Sequence, residues 1–322
     1  MRTPRWRLLA LPPLPRDLLV QLFGDERAEL LTPPERTQEA VEALLPEVDL
    51  VLGNWTKDVQ LVAPGPRVCF VQQPSVGIDA VQVGAFTEAG VPVSNCAGAN
   101  STSVAEWCLG ATLSVLSRLA EGDAAVRRGE WPQTSLGGRE LAGSAVGVVG
   151  MGPIGRAVAT RFAAMGCAVR YWSRTAKPDA PAPYADLDDL LATSDVVVLV
   201  IALGEQTRDL LDADRLARLR RGAVVVNASR GHVVVEAPLV EALRTGQVGG
   251  AALDVFVDEP LPADSPLREL PHVLLTPHLA GSSQQATASI LAQSTANLQR
   301  VLDGVPVLDV VNGVDPAVQR RL

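Results

Sequence analysis

Gly150, Gly152 and Gly155 in "GMGPIG" carry G-x-G-x-x-G spacing, directly after the apolar run "SAVGVVG" (Ser144–Gly150) and at the start of a helix-like stretch. A tight turn, close backbone approach and a helix N-terminus facing an anion are what a dinucleotide pyrophosphate needs. An NAD-binding unit also places an acid about 20 residues beyond its first glycine, to hold the adenosine ribose. At that place this chain has "YWSRT", Tyr171 to Thr175, and no acid. Ser173 and Thr175 bring hydroxyls, Arg174 a planar two-donor fork, and Lys177 a further charge. This is chemistry for a 2′-phosphate. The expected cofactor is therefore NADP(H), with NAD(H) as the alternative; the bland reading of Arg174 is a surface arginine beside a loop.

A proton donor is the next requirement, and the chain has three histidines. In parallel sheets ligands gather at the carboxyl ends of strands. His272 precedes the strand-like "VLLT" and is at the wrong end. His232 follows "VVVNASRG" at the correct end but among apolar valines. His278 follows "VLLTP" and precedes the small-residue loop "LAGSS", which can approach a cofactor. Imidazole titrates near neutrality, so His278 is the acid/base candidate. Arg230, ending a strand in "NASRG", suits a carboxylate. Glu259, in "LDVFVDEP", is an acid able to orient a histidine. Each alone also reads as a solvated loop charge.

The elements behind these residues alternate. "SAVGVVG", "CAVRYW", "DVVVLVIA", "AVVVNAS", "GGAALDV" and "HVLLTPH" read as strands. Between them Ile154–Met165, "LDDLLATS", "DADRLARL" and "APLVEALRTG" read as helices, the last closed by Gly246. Repeated βαβ units predict a parallel sheet with helices on both faces. A weaker alternation precedes it, with strands in "WRLLAL", "VDLVLGN", "RVCFVQQ" and "VPVSN" and helices near Leu18–Phe23 and Gln38–Leu44. Ser101–Gly129 reads as one long apolar helix with a Ser-x-x-x-x-Glu start, able to link domains or subunits. Gln284–Leu302 reads as a final helix.

Composition bounds the rest. The 322 residues suit two domains, and 47% hydrophobic content fills large cores. A net charge of −8 argues against general nucleic-acid binding. No apolar run has membrane-spanning length; "VVVLVIAL" (Val196–Leu203) reads as a buried parallel strand. The basic start is interrupted by Pro12, Pro13 and Pro15, which predicts a first strand and not a signal peptide. Cys69, Cys96, Cys108 and Cys167 show no metal-ligand spacing and read as buried thiols of a cytoplasmic protein.

The series "GMGPIG", "NASRG", "ALDVFVDEP" and "TPHLAGS", with "VQQPSVGIDAV" and "NCAGANSTSVAEW" upstream, resembles the D-isomer-specific 2-hydroxyacid dehydrogenases over nearly the whole chain. "WSRT" resembles the NADPH-preferring glyoxylate/hydroxypyruvate reductases among them. The resemblance implies an α/β fold of two doubly wound parallel-sheet domains. A Rossmann domain would span 97–283, and a smaller flavodoxin-like substrate domain would span 1–96, completed by 284–322. It implies reduction of a small 2-oxo acid to the D-2-hydroxy acid, with His278 as acid/base, Glu259 paired to it and Arg230 on the substrate carboxylate and carbonyl. Backbone N–H groups of Val76 and Gly77 would also meet the carboxylate, with substrate in the cleft between domains. Pro153, Ile154, Thr207, Ala228, Asp254 and Gly281 would join the cofactor site, Asp254 near the nicotinamide. The helix after Ser101 would form a homodimer interface. Trp107, "VIALGEQT" around Ala202, and "GHVVVE" with His232 and Val235 depart from the family pattern without removing a catalytic group. Two rivals share the fold: formate dehydrogenase, whose histidine pairs with Gln, and a nucleotide-sensing corepressor.

Overall fold

The computed structural model describes residues 5–56 and 58–321. Residues 1–4 and Leu322, at the ends of the expected smaller domain, lie outside them, as does Lys57. Strand β1 (Trp6–Ala10) leads to helix α1 (Arg16–Phe23), β2 (Ala28–Leu31), α2 (Gln38–Leu44), β3 (Leu50–Leu52), β4 (Phe70–Gln72), α3 (Val83–Glu88) and β5 (Val93–Ser94). Then come α4 (Ser101–Leu116), α5 (Leu119–Arg127), β6 (Ala145–Val149), α6 (Pro153–Ala164), β7 (Ala168–Trp172), α7 (Leu187–Thr193) and β8 (Val196–Leu199). Helix α8 (Ala213–Arg218), β9 (Ala223–Asn227), α9 (Glu236–Arg244), β10 (Val248–Leu253), β11 (Val273–Leu275) and α10 (Gln284–Leu302) complete the order.

The chain forms two compact units. One holds the residues up to Ala99 and those from Gln284 on; the other is Asn100–Ser283. The first contains a five-stranded sheet ordered β2-β1-β3-β4-β5, the flavodoxin-like order, with every strand pair parallel. Its strands are apolar on both faces because helices cover both: Leu9, Val51 and Val71 pack with Val41 and Phe86, while Leu8, Leu50 and Phe70 pack with Leu19, Leu298 and Val301.

The second unit has a six-stranded parallel sheet ordered β11-β10-β9-β8-β6-β7. A single parallel bridge, Tyr171 to Tyr184, extends it beyond β7. The chain moves outward from β6 to β7 and then crosses to β8, so the strand order reverses between β6 and β8. Ligands of such sheets bind at that crevice. Helices α4 and α6 cover one face through Val104, Cys108, Val158 and Phe162. Helices α7, α8 and α9 cover the other through Leu190, Leu216 and Leu243.

Three expectations are corrected, and two elements were not foreseen. The helix after Ser101 is two helices, because Arg118 takes a left-handed conformation (φ 52°) and the last α4 carbonyl, Leu116 C=O, accepts the Arg139 N–H at 2.9 Å. Its start is not a serine cap: Asn100 is the N-cap and makes no side-chain cap bond, while Ser103 Oγ donates to Ala280 C=O at 2.7 Å. The run Val196–Leu203 is strand only to Leu199. Strand β2 and helix α3 carry no local pattern strong enough to be foreseen; β2 is a short edge strand without β-branched residues.

All four cysteines are free; Cys69, Cys96 and Cys108 are buried and Cys167 is half-buried. Burial pushes the Cys69 thiol up to about 12 and raises the other three as well. Among the described residues no helix is long and apolar enough to cross a membrane.

Candidate active site

The glycine turn joins β6 to α6. Gly150 has φ +109°, and a Cβ there would lie 2.6 Å from the Val200 carbonyl oxygen. A Cβ on Gly155 would overlap the Gly150 carbonyl, so this glycine lets α6 close onto the turn. Gly152 differs: a Cβ would meet nothing within 4 Å. It is the N-cap of α6 and makes no side-chain cap bond; Pro153 follows at the first helical position, where a missing N–H costs nothing. Gly152 and Pro153 are exposed and Ile154 is half-buried. Open space before an uncapped helix N-terminus fits an anionic pyrophosphate.

Beside this turn, β7 ends in the loop holding Ser173, Arg174 and Thr175. Tyr171 is buried and ties the loop back: its hydroxyl accepts from Lys177 N–H at 2.6 Å and donates to Lys177 C=O at 3.1 Å. Arg156, on α6, holds the far side through Asp179 Oδ1 at 2.7 Å, and this guanidinium holds the Asp179 carboxyl below its usual range. Ser173 is buried, and its hydroxyl donates to Thr175 C=O at 2.8 Å. Its proton is thus used within the loop, and only its lone pairs remain for other partners. Arg174 and Thr175 are exposed, and Arg174 forms no hydrogen bond or ion pair among the described residues.

At the other side of the crevice, β9, β10 and β11 are neighbours and parallel, so their carboxyl ends share one edge. Arg230 follows β9, Glu259 follows β10 and His278 follows β11. Glu259 Oε2 is 3.0 Å from His278 Nδ1. Its Oε1 accepts the Phe256 N–H at 3.1 Å, which leaves one oxygen aimed at the imidazole. The histidine side chain is 42% exposed and the glutamate 17%, so the ring reaches outward from a partly sheltered carboxylate.

Arg230 is half-buried, and its Nη1 donates to Ser229 C=O at 2.7 Å. Asn227, 1% exposed, braces this segment. Its Oδ1 accepts from Ser229 N–H at 3.0 Å and Oγ at 2.7 Å, and its Nδ2 donates to Arg230 C=O at 3.1 Å. A Cβ on Gly231 would overlap the Phe256 and Val257 backbone, so this glycine lets the Arg230 loop lie directly against the loop of Glu259. Asn227 and Tyr171 were missed in the sequence. An asparagine ending a valine strand was the available signal for the first, since its side chain builds turns; nothing local marks the second.

Asp254, expected beside the nicotinamide, is 2% exposed, and both carboxylate oxygens are engaged by the 276–280 segment. It positions the His278 loop. Thr207, expected to line the cofactor, is buried and closes the loop after β8: its hydroxyl donates to Ala202 C=O and accepts from Gly204 N–H. Ala228 is half-buried at the end of β9, and its N–H donates to Leu199 C=O at 3.1 Å. Gly281 lies against the Asn100 side chain. His232 lies in a short 3₁₀ turn after Arg230, and His272 precedes β11. Val76 and Gly77 follow β4 in the other unit.

Residues 109–280 match the family model of the D-isomer specific 2-hydroxyacid dehydrogenase NAD binding domain. The chain is 38% identical over 300 residues to D-3-phosphoglycerate dehydrogenase of Mycobacterium leprae, covering 91% of this chain and 56% of that one. It thus spans little more than half the length of that relative. With the hydroxypyruvate reductase of Thermotoga maritima it shares 33% identity over 289 residues, covering 88% of this chain and 94% of the other. A crystal structure of an NADPH-dependent glyoxylate/hydroxypyruvate reductase from Sinorhizobium meliloti, in complex with NADP and malonate, superposes with a TM-score of 0.86 at 27% identity, covering 99% of this chain and 100% of that one.

Proposed function

Since the chain belongs to the D-isomer specific 2-hydroxyacid dehydrogenase family, we propose that it reduces a small 2-oxo acid of the glyoxylate or hydroxypyruvate kind to its D-2-hydroxy acid, with NADPH preferred to NADH. The observation that carries the chemistry is the 3.0 Å pairing of His278 Nδ1 with Glu259 Oε2. A carboxylate at this place fixes the orientation of the ring through Nδ1, and a ring so held offers Nε2 for proton transfer.

A nicotinamide cofactor, when bound, would supply the hydride for C2. His278 gives the proton to the carbonyl oxygen from its outward nitrogen. Arg230 holds the substrate carboxylate and stabilises the charge growing on that oxygen. Its backbone is fixed by Asn227 and by the close packing of Gly231, so the guanidinium starts from a rigid base. For Val76 and Gly77, as second holders of the carboxylate, the reading rests on the resemblance of "SVGID". The pyrophosphate belongs at Gly152–Ile154. The 2′-phosphate belongs at Arg174, whose guanidinium has no competing partner among the described residues. A second copy of the chain is assigned to the region after Ser101, where Leu119 is 57%, Val126 53% and Trp131 77% exposed.

The test is NADPH oxidation with glyoxylate, hydroxypyruvate, 3-phosphohydroxypyruvate and a bulky 2-oxo acid, beside formate with NADP⁺ and NAD⁺. Turnover of the small unphosphorylated acids supports the reading. Turnover of formate alone places the chain with the formate dehydrogenases, and cofactor binding without any turnover places it with the sensing proteins.

A further inference from the structure

In the five-stranded unit the chain leaves β4 at Gln72 and turns through Gln73, Pro74, Ser75, Val76 and Gly77. Three successive carbonyls of this turn are engaged. Ser75 C=O accepts the Cys96 N–H at 3.0 Å, Val76 C=O accepts Asn95 Nδ2 at 2.7 Å, and Gly77 C=O accepts Ser75 Oγ at 2.5 Å. The N–H groups of Val76 and Gly77 donate to no described residue. Adjacent N–H groups of a turn whose carbonyls are all turned elsewhere form a concave donor site for an anion.

Two amides behind the turn set this polarity. Gln73 is 2% exposed; its Nε2 donates to Asn54 C=O at 2.6 Å and to Ser75 Oγ at 3.0 Å. Ser75 Oγ receives that proton's bond and sends its own to Gly77 C=O, so the chain of donors runs from Gln73 through Ser75 to Gly77. The Asn54 carbonyl and the Ser75 lone pair both require the nitrogen of the Gln73 amide to face them. Among the described residues Gln73 Oε1 and Asn95 Oδ1 are left buried without partners. An unpaired buried acceptor is unfavourable, and here two are kept on the two side chains whose donors hold the turn.

We propose that Gln73 and Asn95 are positioning residues that hold the Val76 and Gly77 N–H groups ready for the substrate carboxylate. This rests on the reading of the chain as a 2-oxo acid reductase. A carboxylate meets the site without first reordering the turn, so the benefit is in binding acids and not in the hydride step.

The test uses the full chain with NADPH. Gln73→Met removes the relay at similar volume, Asn95→Ala removes the second donor, and the milder Ser75→Ala interrupts the relay alone should either fail to fold. Each is assayed with glyoxylate and with its methyl ester, and oxalate binding to the NADPH complex is measured by calorimetry. The KM for glyoxylate should rise and oxalate binding weaken by about ten- to a hundredfold, with kcat, NADPH affinity and ester kinetics held. A purely structural role would weaken acid and ester alike. An unchanged acid-to-ester ratio of kcat/KM in the variants, with wild type active, overturns the positioning role and leaves the reductase reading standing. A wild type that reduces no 2-oxo acid overturns that reading, and the inference with it.

Discussion

The backbone carbonyl of Asp254 accepts the N–H of His278 at 2.8 Å, and the carboxylate of the same Asp254 accepts the N–H groups of Leu279 and Ala280, each at 2.8 Å. His278 has φ 54°, a left-handed conformation uncommon outside glycine. One buried residue thus holds the acid/base candidate from both sides, and holding a residue there offsets a strain of order 1–3 kcal/mol. Asp254→Ala deprives Thr276 Oγ and the Leu279 and Ala280 N–H groups of their acceptor and should cost about 3 kcal/mol. In a unit of this size that is a fall in Tm of roughly 6–12 °C. Calorimetry of the variant checks it, and kcat should fall with the stability; a variant as stable and active as wild type would show that the loop holds its own shape.

Replacing His278 itself by Ala should lower turnover by ~10²- to 10⁴-fold, the worth of general acid catalysis. NADPH binding, followed by fluorescence, should persist. Near-normal turnover removes His278 from the chemistry.

Arg230→Lys keeps the charge but loses the planar two-donor fork. The kcat/KM for 2-oxo acids should fall by at least about a hundredfold, given the worth of one charge-stabilising donor. Retention of most activity would mean that the carboxylate is held elsewhere.

Removing the carboxylate tests Glu259. Glu259→Gln keeps the shape of the side chain but replaces the charged acceptor that faces His278 Nδ1, so kcat should fall by up to ~10²-fold while NADPH binding persists. Unchanged turnover would leave Glu259 as a loop charge.

Cofactor choice tests the β7 loop. Arg174→Ala should weaken NADPH much more than NADH, because a charge-assisted phosphate contact is lost only for the first. Ser173→Asp should go further, repelling the phosphate and offering an acceptor to the free ribose hydroxyls. Steady-state constants for both cofactors decide it; equal wild-type use of the two would mean that Arg174 serves only solvent.

The residues on which these predictions act were legible along the chain because their information is local. Gly150, Gly152 and Gly155 announce a strand–turn–helix because their spacing directly follows an apolar run and opens a helical one, and the alternation of valine runs with amphipathic stretches announces parallel sheets. Arg230, Glu259 and His278 could be placed at strand ends because each directly follows an apolar run. The absence of an acid at Ser173 needed only counting. Strand β2 and helix α3 escaped for the converse reason: their patterns are short, and their pairing partners lie elsewhere in the chain.

Tertiary structure decided what those positions are attached to. The break at Arg118 follows from a left-handed residue and from Arg139 capping Leu116, neither visible in a helical pattern. The Asp254 carboxylate is tied to the His278 loop, and the Ser173 hydroxyl donates to the Thr175 carbonyl. Gln73, Asn95, Tyr171 and Asn227 look ordinary in sequence because an amide or a phenol gains its role only from the partner it meets once buried. Periodicity and turn chemistry act over a few residues and can be read from the order of amino acids. Hydrogen bonds inside a core depend on which distant segments are brought into register, and only the folded chain specifies that.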